Sequence, residues 1–377
     1  MGHKAWTMKT FLVLHFLIFS VEATTEEIDK NSNIKTVQTA DGQSFAFVNF
    51  KSQSLRHPSL KNHTGQPIPP ASSFDSIYGD KGSKSNTSDV EMSKIDCPSG
   101  TVPILTSYNG SMDTTSFDNI TDFKYFYNEN ANEKLHMAAV ATVPSTFYGF
   151  ESPISVWEPD LGTGRPPRFS GAIIVVQNEG SRVAAGWSID PRFYGDNHVH
   201  LEIAWVDNGR SCVNTRCAGF VQMSKTAAPG LILKPPSTID GKQYIVRVKI
   251  VKFLGDWVLK VGEEIVGYWP SALFTTRMSE SADRVVWMGV VGAAPGEPFP
   301  PMGSGQPPDD AAETNAACFG EARVIDASRS PVTPELSGIY TAVTAPRCYE
   351  VGRPVASDGG LKFYYGGTGC SPGQSVE

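Results

Sequence analysis

From about Leu135 onward, short runs rich in β-branched and aromatic residues recur at close spacing, with turn residues between them. Met137 to Val143, Ile154 to Trp157, Ala172 to Val176, Val183 to Ile189, Val199 to Trp205 and Gly219 to Gln222 form the first half of the series. Tyr244 to Val251, Trp257 to Val261, Ile265 to Tyr268, Val285 to Val291 and Ala322 to Ile325 continue it. No segment of helical length shows a 3.6-residue period, apart from a short stretch near Ser271–Phe274, and no internal repeat is visible. Many short strands in succession predict an all-β fold, an antiparallel β-sandwich or barrel. Phe253-Leu-Gly-Asp-Trp-Val and Val261-Gly-Glu-Glu-Ile read as hairpins. The 35 Gly, 27 Pro and 19% charged residues agree with tight turns between strands.

The front of the chain has another texture. Lys4 and Lys9 precede an apolar run from Phe11 to Val21, and Ala23 follows as a small residue at a cleavage position. That order predicts a signal peptide over residues 1–23 and a secreted, extracellular protein. The run is too short to span a bilayer, and no membrane association is expected once it is removed. Residues 24–95 are polar, with one strand-like piece, Phe45 to Phe50, and linker-like stretches at 67–71 and 79–86. A segment so poor in apolar residues cannot bury a core alone, so it is expected to lie on the larger domain. A net charge of −7, without any Lys/Arg block, argues against nucleic acid as a partner.

Secretion gives meaning to four glycosylation sequons, at Asn62, Asn86, Asn109 and Asn119. It also permits disulfides. Cys212 and Cys217 are close enough to staple one loop, and Cys348 and Cys370 bracket the C-terminal segment; Cys97 and Cys318 are left over.

The sequence holds no G-x-S-x-G elbow, H-E-x-x-H, P-loop or dinucleotide fingerprint. His198, His200 and Glu202 alternate with Val199, Leu201 and Ile203, which on a strand puts the polar three on one face. Such a face can hold a metal or set a base beside an acid, with His136 as the only further histidine in reach. A plain solvated strand face is the preferred reading, and no metal or cofactor is expected. Trp187, Tyr194, Trp205, Tyr268 and Trp269 are candidates to line a groove for proline rings or sugars, or to fill the sandwich core.

Read in order, several segments resemble the neprosin family of plant secreted proteins. Ile34-Lys-Thr-Val-Gln-Thr-Ala-Asp-Gly42 and Arg56-His-Pro-Ser-Leu-Lys-Asn-His63 are similar to its activation peptide, and Cys97-Pro-Ser-Gly-Thr-Val-Pro-Ile104 to the segment that follows. Gly186-Trp-Ser-Ile, Pro191-Arg-Phe-Tyr-Gly-Asp196, Cys212 to Gln222, Val266 to Phe274, Met302-Gly-Ser-Gly-Gln306 and Phe363-Tyr-Tyr-Gly-Gly367 extend the match through the rest. The resemblance implies an activation-peptide-like region over residues 24–127 and a β-sandwich of catalytic type over 128–377. It also implies a glutamic endopeptidase, made as a zymogen, that cuts after proline in acid with two facing glutamates. One carboxyl of such a pair stays protonated as the acid while the other serves as base.

The resemblance places those glutamates at Ala184, two residues before the Gly-Trp pair, and at Val290, after Trp287-Met288-Gly289. Neither a methyl nor an isopropyl group can exchange a proton. Glu179, Glu202 and Glu297 are the acids that would have to substitute. Family members also carry a cysteine near Ala46 that can pair with the counterpart of Cys97, so Cys97 lacks the partner the resemblance implies. The resulting expectation is a catalytically impaired, monomeric homologue that binds Pro-rich peptides or cell-wall proteins. The alternatives are an acid peptidase using displaced carboxylates and a wall-associated carbohydrate-binding module.

Overall fold

The computed structural model describes residues 35–53, 57–63, 87–107, 134–162, 168–308 and 314–371. The predicted signal peptide, both linker-like stretches and the sequons at Asn86, Asn109 and Asn119 lie outside these residues; Asn62 lies within them and is exposed. Among the described residues no helix is long and apolar enough to cross a membrane.

Two antiparallel sheets make the sandwich. One has seven strands, in the order Arg210–Val213, His200–Asp207, Ser181–Ile189, Phe169–Asn178, Arg284–Ala293, Lys134–Thr142 and Ile339–Val343. The main path of the other runs Val221–Gln222, Glu264–Trp269, Asp256–Val261, Tyr244–Phe253, Gly149–Ser155, Ala317–Ile325, Gly360–Gly366 and Glu350–Val351. Three short strands flank that path. Both predicted hairpins form. In the first, Leu254 and Gly255 both adopt positive φ (48° and 95°), the geometry that matches the right-handed twist of the flanking strands. The stretch near Ser271–Phe274 is one turn of 3-10 helix, Ser271–Leu273.

Alternate residues of each strand meet between the sheets. Val183, Ala185, Trp187 and Ile189 pack with Leu201, Ile203, Ile174 and Trp287 from one sheet, and with Phe150, Ile154, Val248, Trp257 and Phe319 from the other. The two predicted disulfides, Cys212–Cys217 and Cys348–Cys370, are formed, and Cys97 and Cys318 are not disulfide-bonded.

The front segments cover the outer side of the seven-stranded sheet. Thr36–Gln38, Ser44–Asn49 and Thr101–Leu105 make a small antiparallel sheet of their own. Phe45, Ile95 and Leu105 are buried in one cluster with Ile173, Val175, Ala184, Met288 and Val290. Too small for a separate core, this layer gains stability by removing apolar surface of the sandwich from water. Two glutamines fasten it. The Gln53 carboxamide donates to Gln222 O (2.9 Å) and accepts from Gln222 N (3.0 Å), occupying the open edge of the larger sheet. Gln43 makes the same kind of double bond elsewhere, to Gly230 O and Ile232 N. Further along, His57 meets the Trp205 ring edge-on at 5.8 Å and His63 bonds the Tyr268 hydroxyl at 2.9 Å.

Candidate functional site

Strand Ser181–Ile189 is buried on both faces. Its odd-numbered members face the inter-sheet core, so Ala184, Gly186 and Ser188 face the front layer. The outward residues are small because a second layer of chain packs on them. A Cβ on Gly186 would collide with the carbonyl oxygen of Ala172 on the neighbouring strand, so only glycine permits the observed approach.

Register then sets the site. Ala184 lies opposite Ala204 on one side and Val175 on the other, and Gly186 opposite Glu202 and Ile173. Ser188 lies opposite His200 and Gly171, and Gly171 pairs in turn with Val290. Ala184 and Val290 therefore share one face, both buried in the same apolar cluster. In the row Ser188–Gly171–Val290 the two outer residues stand about 10 Å apart across two strand spacings, with no side chain between them.

Glu202 is the buried carboxyl on this face. Ser188 Oγ donates to its Oε2 at 2.5 Å, and the Tyr194 hydroxyl lies 3.4 Å from the same oxygen. Asn214 Nδ2 donates to that hydroxyl at 2.9 Å while its Oδ1 accepts from Ile203 N, so the network is anchored to the strand itself. Burial pushes the Glu202 carboxyl up to about 7, with the Asp190 charge adding to the rise and the Ser188 bond opposing it. Glu202 thus holds its proton well above the ordinary carboxylate range. A lone carboxyl can give or take one proton; activating water while protonating a departing amine takes two groups.

The other substitute acids lie elsewhere. Glu179 sits in the two-residue turn with Gly180, at a φ of 50°, and pairs with Arg277. Glu297 lies in a loop and pairs with Arg168 at 3.6 Å. Glu179, Glu202 and Glu297 bond different partners and form no common constellation among the described residues.

The aromatic groove needs correction for four of its five candidates. Trp187, Trp205 and Trp269 belong to the inter-sheet core, and Tyr268 is fully buried on the outer side of the larger sheet. Period-two alternation assigns these rings to one side of each strand but does not say which side is open. Tyr194 is on the face, carried by the one-turn helix Pro191–Tyr194 that Asp190 caps, and it stacks on His200 with ring centroids 3.7 Å apart.

The polar strand face is corrected as well. The strand begins at His200, and His198 turns away to face Glu158 at 3.4 Å, so His198, His200 and Glu202 do not converge. His200 Nε2 is 2.8 Å from Asp196 Oδ1 and Nδ1 is 2.8 Å from Gly230 O. His136 is buried against Phe299. Ser188 was missed in the sequence although the alternation from Ala184 points to it; nothing in the sequence marks Gln43.

A family model described as Neprosin matches residues 166–368. Among solved structures, the chain is similar at 10% identity to scytalido-glutamic peptidase bound to a peptide-based transition-state analogue, with 62% of this chain and 98% of that one covered and a TM-score of 0.34. SCP-B, a member of the Eqolisin family of peptidases in complex with the tripeptide Ala-Ile-His, matches at 10% identity over 62% of this chain and 98% of that one, with a TM-score of 0.33. The carbohydrate-binding module CBM66 from Bacillus subtilis matches at 12% identity over 43% of this chain and 74% of that one, with a TM-score of 0.22.

Proposed function

Since the chain belongs to the neprosin family, with which a peptidase chemistry acting after proline comes by resemblance, we propose that it is a secreted, catalytically impaired homologue that binds Pro-rich peptides on the outer face of the seven-stranded sheet. The observation that carries this reading is the pair Ala184 and Val290, a methyl and an isopropyl group facing one covered surface, at the positions to which the resemblance assigns the two glutamates. Apolar side chains there favour contact with proline rings and supply no proton. The front layer occupies the same surface, so binding competes with it. The two disulfides agree with an oxidising compartment.

The test is hydrolysis of a Pro-rich peptide by the secreted protein between about pH 3 and 6, where a carboxyl pair would be half-protonated. The native chain is expected to stay silent and the double variant Ala184→Glu/Val290→Glu to cut after proline. Efficient cleavage by the native chain would overturn the reading. One observation favours a displaced-acid enzyme instead: Glu202 is buried on the same face and protonated near neutrality. That reading requires any native cleavage to vanish in Glu202→Gln.

A further inference from the structure

Beside His200, the main chain from Gly230 to Ile232 pairs on one side with the start of strand His200–Asp207, through Leu201 N to Leu231 O (2.8 Å) and Gly230 N to Leu201 O (2.7 Å). Its other side presents the carbonyl of Gly230 and the N–H of Ile232. Among the described residues no strand takes that pair; the side chain of Gln43 does. Gln43 Nε2 donates to Gly230 O at 2.7 Å, and Gln43 Oε1 accepts from Ile232 N at 3.1 Å. The glutamine is buried. One donor and one acceptor, side by side on a planar group, answer one acceptor and one donor on the main chain. Reversing the carboxamide would set like against like at both ends.

This place adjoins the peptide face proposed above. His200 lies in the same register row as Ser188, Gly171 and Val290, and its Nδ1 contacts the Gly230 oxygen that Gln43 uses. We propose that Gly230 O and Ile232 N, walled by His200, form a carboxamide subsite at the end of this face, filled by Gln43 in the resting chain and taken by a glutamine side chain of a bound peptide when the front layer is displaced. The inference rests on the peptide-binding reading and names which residue beside proline the ligand carries. Glutamine matches because it carries both groups on a stem long enough to reach. A carboxylate has no hydrogen for Gly230 O and sets two oxygens against each other. An alkyl side chain leaves the Ile232 N–H buried without an acceptor, which is costly.

The experiment uses the full chain, wild type and Gln43→Ala, with the synthetic peptides acetyl-Pro-Gln-Pro-amide, acetyl-Pro-Glu-Pro-amide and acetyl-Pro-Ala-Pro-amide. Hydrogen exchange is followed at the Ile232 amide. In Gln43→Ala that amide is expected to exchange about tenfold faster, the scale of losing one buried acceptor. The Gln peptide should restore protection and bind the variant at least about tenfold more tightly than the Glu or Ala peptide does. Unchanged exchange at Ile232 in Gln43→Ala, or equal protection by the Gln and Ala peptides, overturns the subsite. Should Gln43→Ala fail to fold, Gln43→Glu keeps the volume and removes the donor, and the same readings apply.

The two proposals fail separately. Equal binding of all three peptides to the face leaves the proline reading standing and removes the subsite. Protection of Ile232 by the Gln peptide, with no binding of an oligoproline anywhere, leaves the subsite and removes the proline reading.

Discussion

Val290 faces Ser188 across a single glycine, Gly171, and Ser188 is the residue that holds the Glu202 carboxyl. The same carboxyl belongs to a residue diagonal to Ala184, since Ala184 pairs with Ala204 and Glu202 precedes Ala204 by two on the same face. The strand order is therefore Glu202, then Ala184 with Ser188, then Gly171, then Val290, so the buried acid stands beyond Ala184 on the side away from Val290 and reaches back toward it through Ser188.

Val290→Glu alone is expected to introduce a second carboxyl into the space over Gly171, coupled to Glu202. Two interacting carboxyls titrate as a pair, one well above and one below the ordinary range. Titration of the variant by carboxyl-resolved NMR should show two linked steps where the wild type shows one high step. Cleavage after proline should appear first in the variants that carry Val290→Glu. A single unshifted new carboxyl would mean that Gly171 does not join the two positions. The substitution is also expected to destabilise, by roughly 1–3 kcal/mol, because the new group enters an apolar cluster.

Glu202 makes stability depend on pH in a direction opposite to most carboxylates. Its folded value, about 7, lies above its ordinary 4.5, so between these limits the folded chain binds the proton more tightly than the unfolded chain does. Its contribution is complete below 4.5 and is lost as the pH rises through about 7. On the order of a few kcal/mol is at stake, at about 1.4 kcal/mol per unit. Urea unfolding at acid and alkaline pH should show a smaller loss of stability on going alkaline in Glu202→Gln than in wild type.

Trp187→Ala is expected to cost about 3–5 kcal/mol of stability, the range for truncating a large core aromatic. Its indole also donates to Ser155 O at 2.9 Å, so that buried carbonyl loses this donor along with the ring. Peptide binding per folded molecule should stay within about twofold, because the ring lies behind the face. Tyr194→Ala reverses the pattern. Tyr194 touches Glu202, His200 and Asn214 on the face itself, so ligand affinity and the Glu202 titration both move. Thermal unfolding and isothermal binding on the two variants separate these effects.

Removing the Cys348–Cys370 pair by serine substitution should lower stability more than removing Cys212–Cys217. Loop-closure entropy grows with the length bridged, and the separations are 22 and 5 residues. The longer loop predicts about 3 kcal/mol, with a smaller loss for the shorter one. Denaturant midpoints of the two double-serine variants check the order.

The sandwich was legible because its strands are short, apolar and punctuated. Ser181–Ile189 was read from Val183 onward, and Tyr244–Phe253 and Asp256–Val261 were placed to within two residues. Thr101–Leu105 was not read as a strand because Pro103 interrupts it; it lies in the small front sheet, where the Pro103 carbonyl accepts from Gln222 Nε2. Gly360–Gly366 was missed for its glycines, one of which, Gly360, sits at a φ of 133° where the chain reverses. The site was legible only where alternation speaks: it put Ala184 and Ser188 on one side of their strand. That this side is roofed by Phe45 and Leu105, and that Gln43 reaches Ile232 from 189 residues away, depends on long-range packing that no local pattern encodes.

The Cys348–Cys370 bond has a mechanical consequence. Strand Gly360–Gly366 runs inside the loop that this bond closes, between Ala317–Ile325 and Glu350–Val351. Tension applied to the C-terminal tail reaches the sulfur bridge at Cys370 before it reaches that strand, and passes from there to Cys348. The sheet cannot be unzipped from this end one hydrogen bond at a time; under load the strand must shear away as a block, or the covalent link must be reduced first.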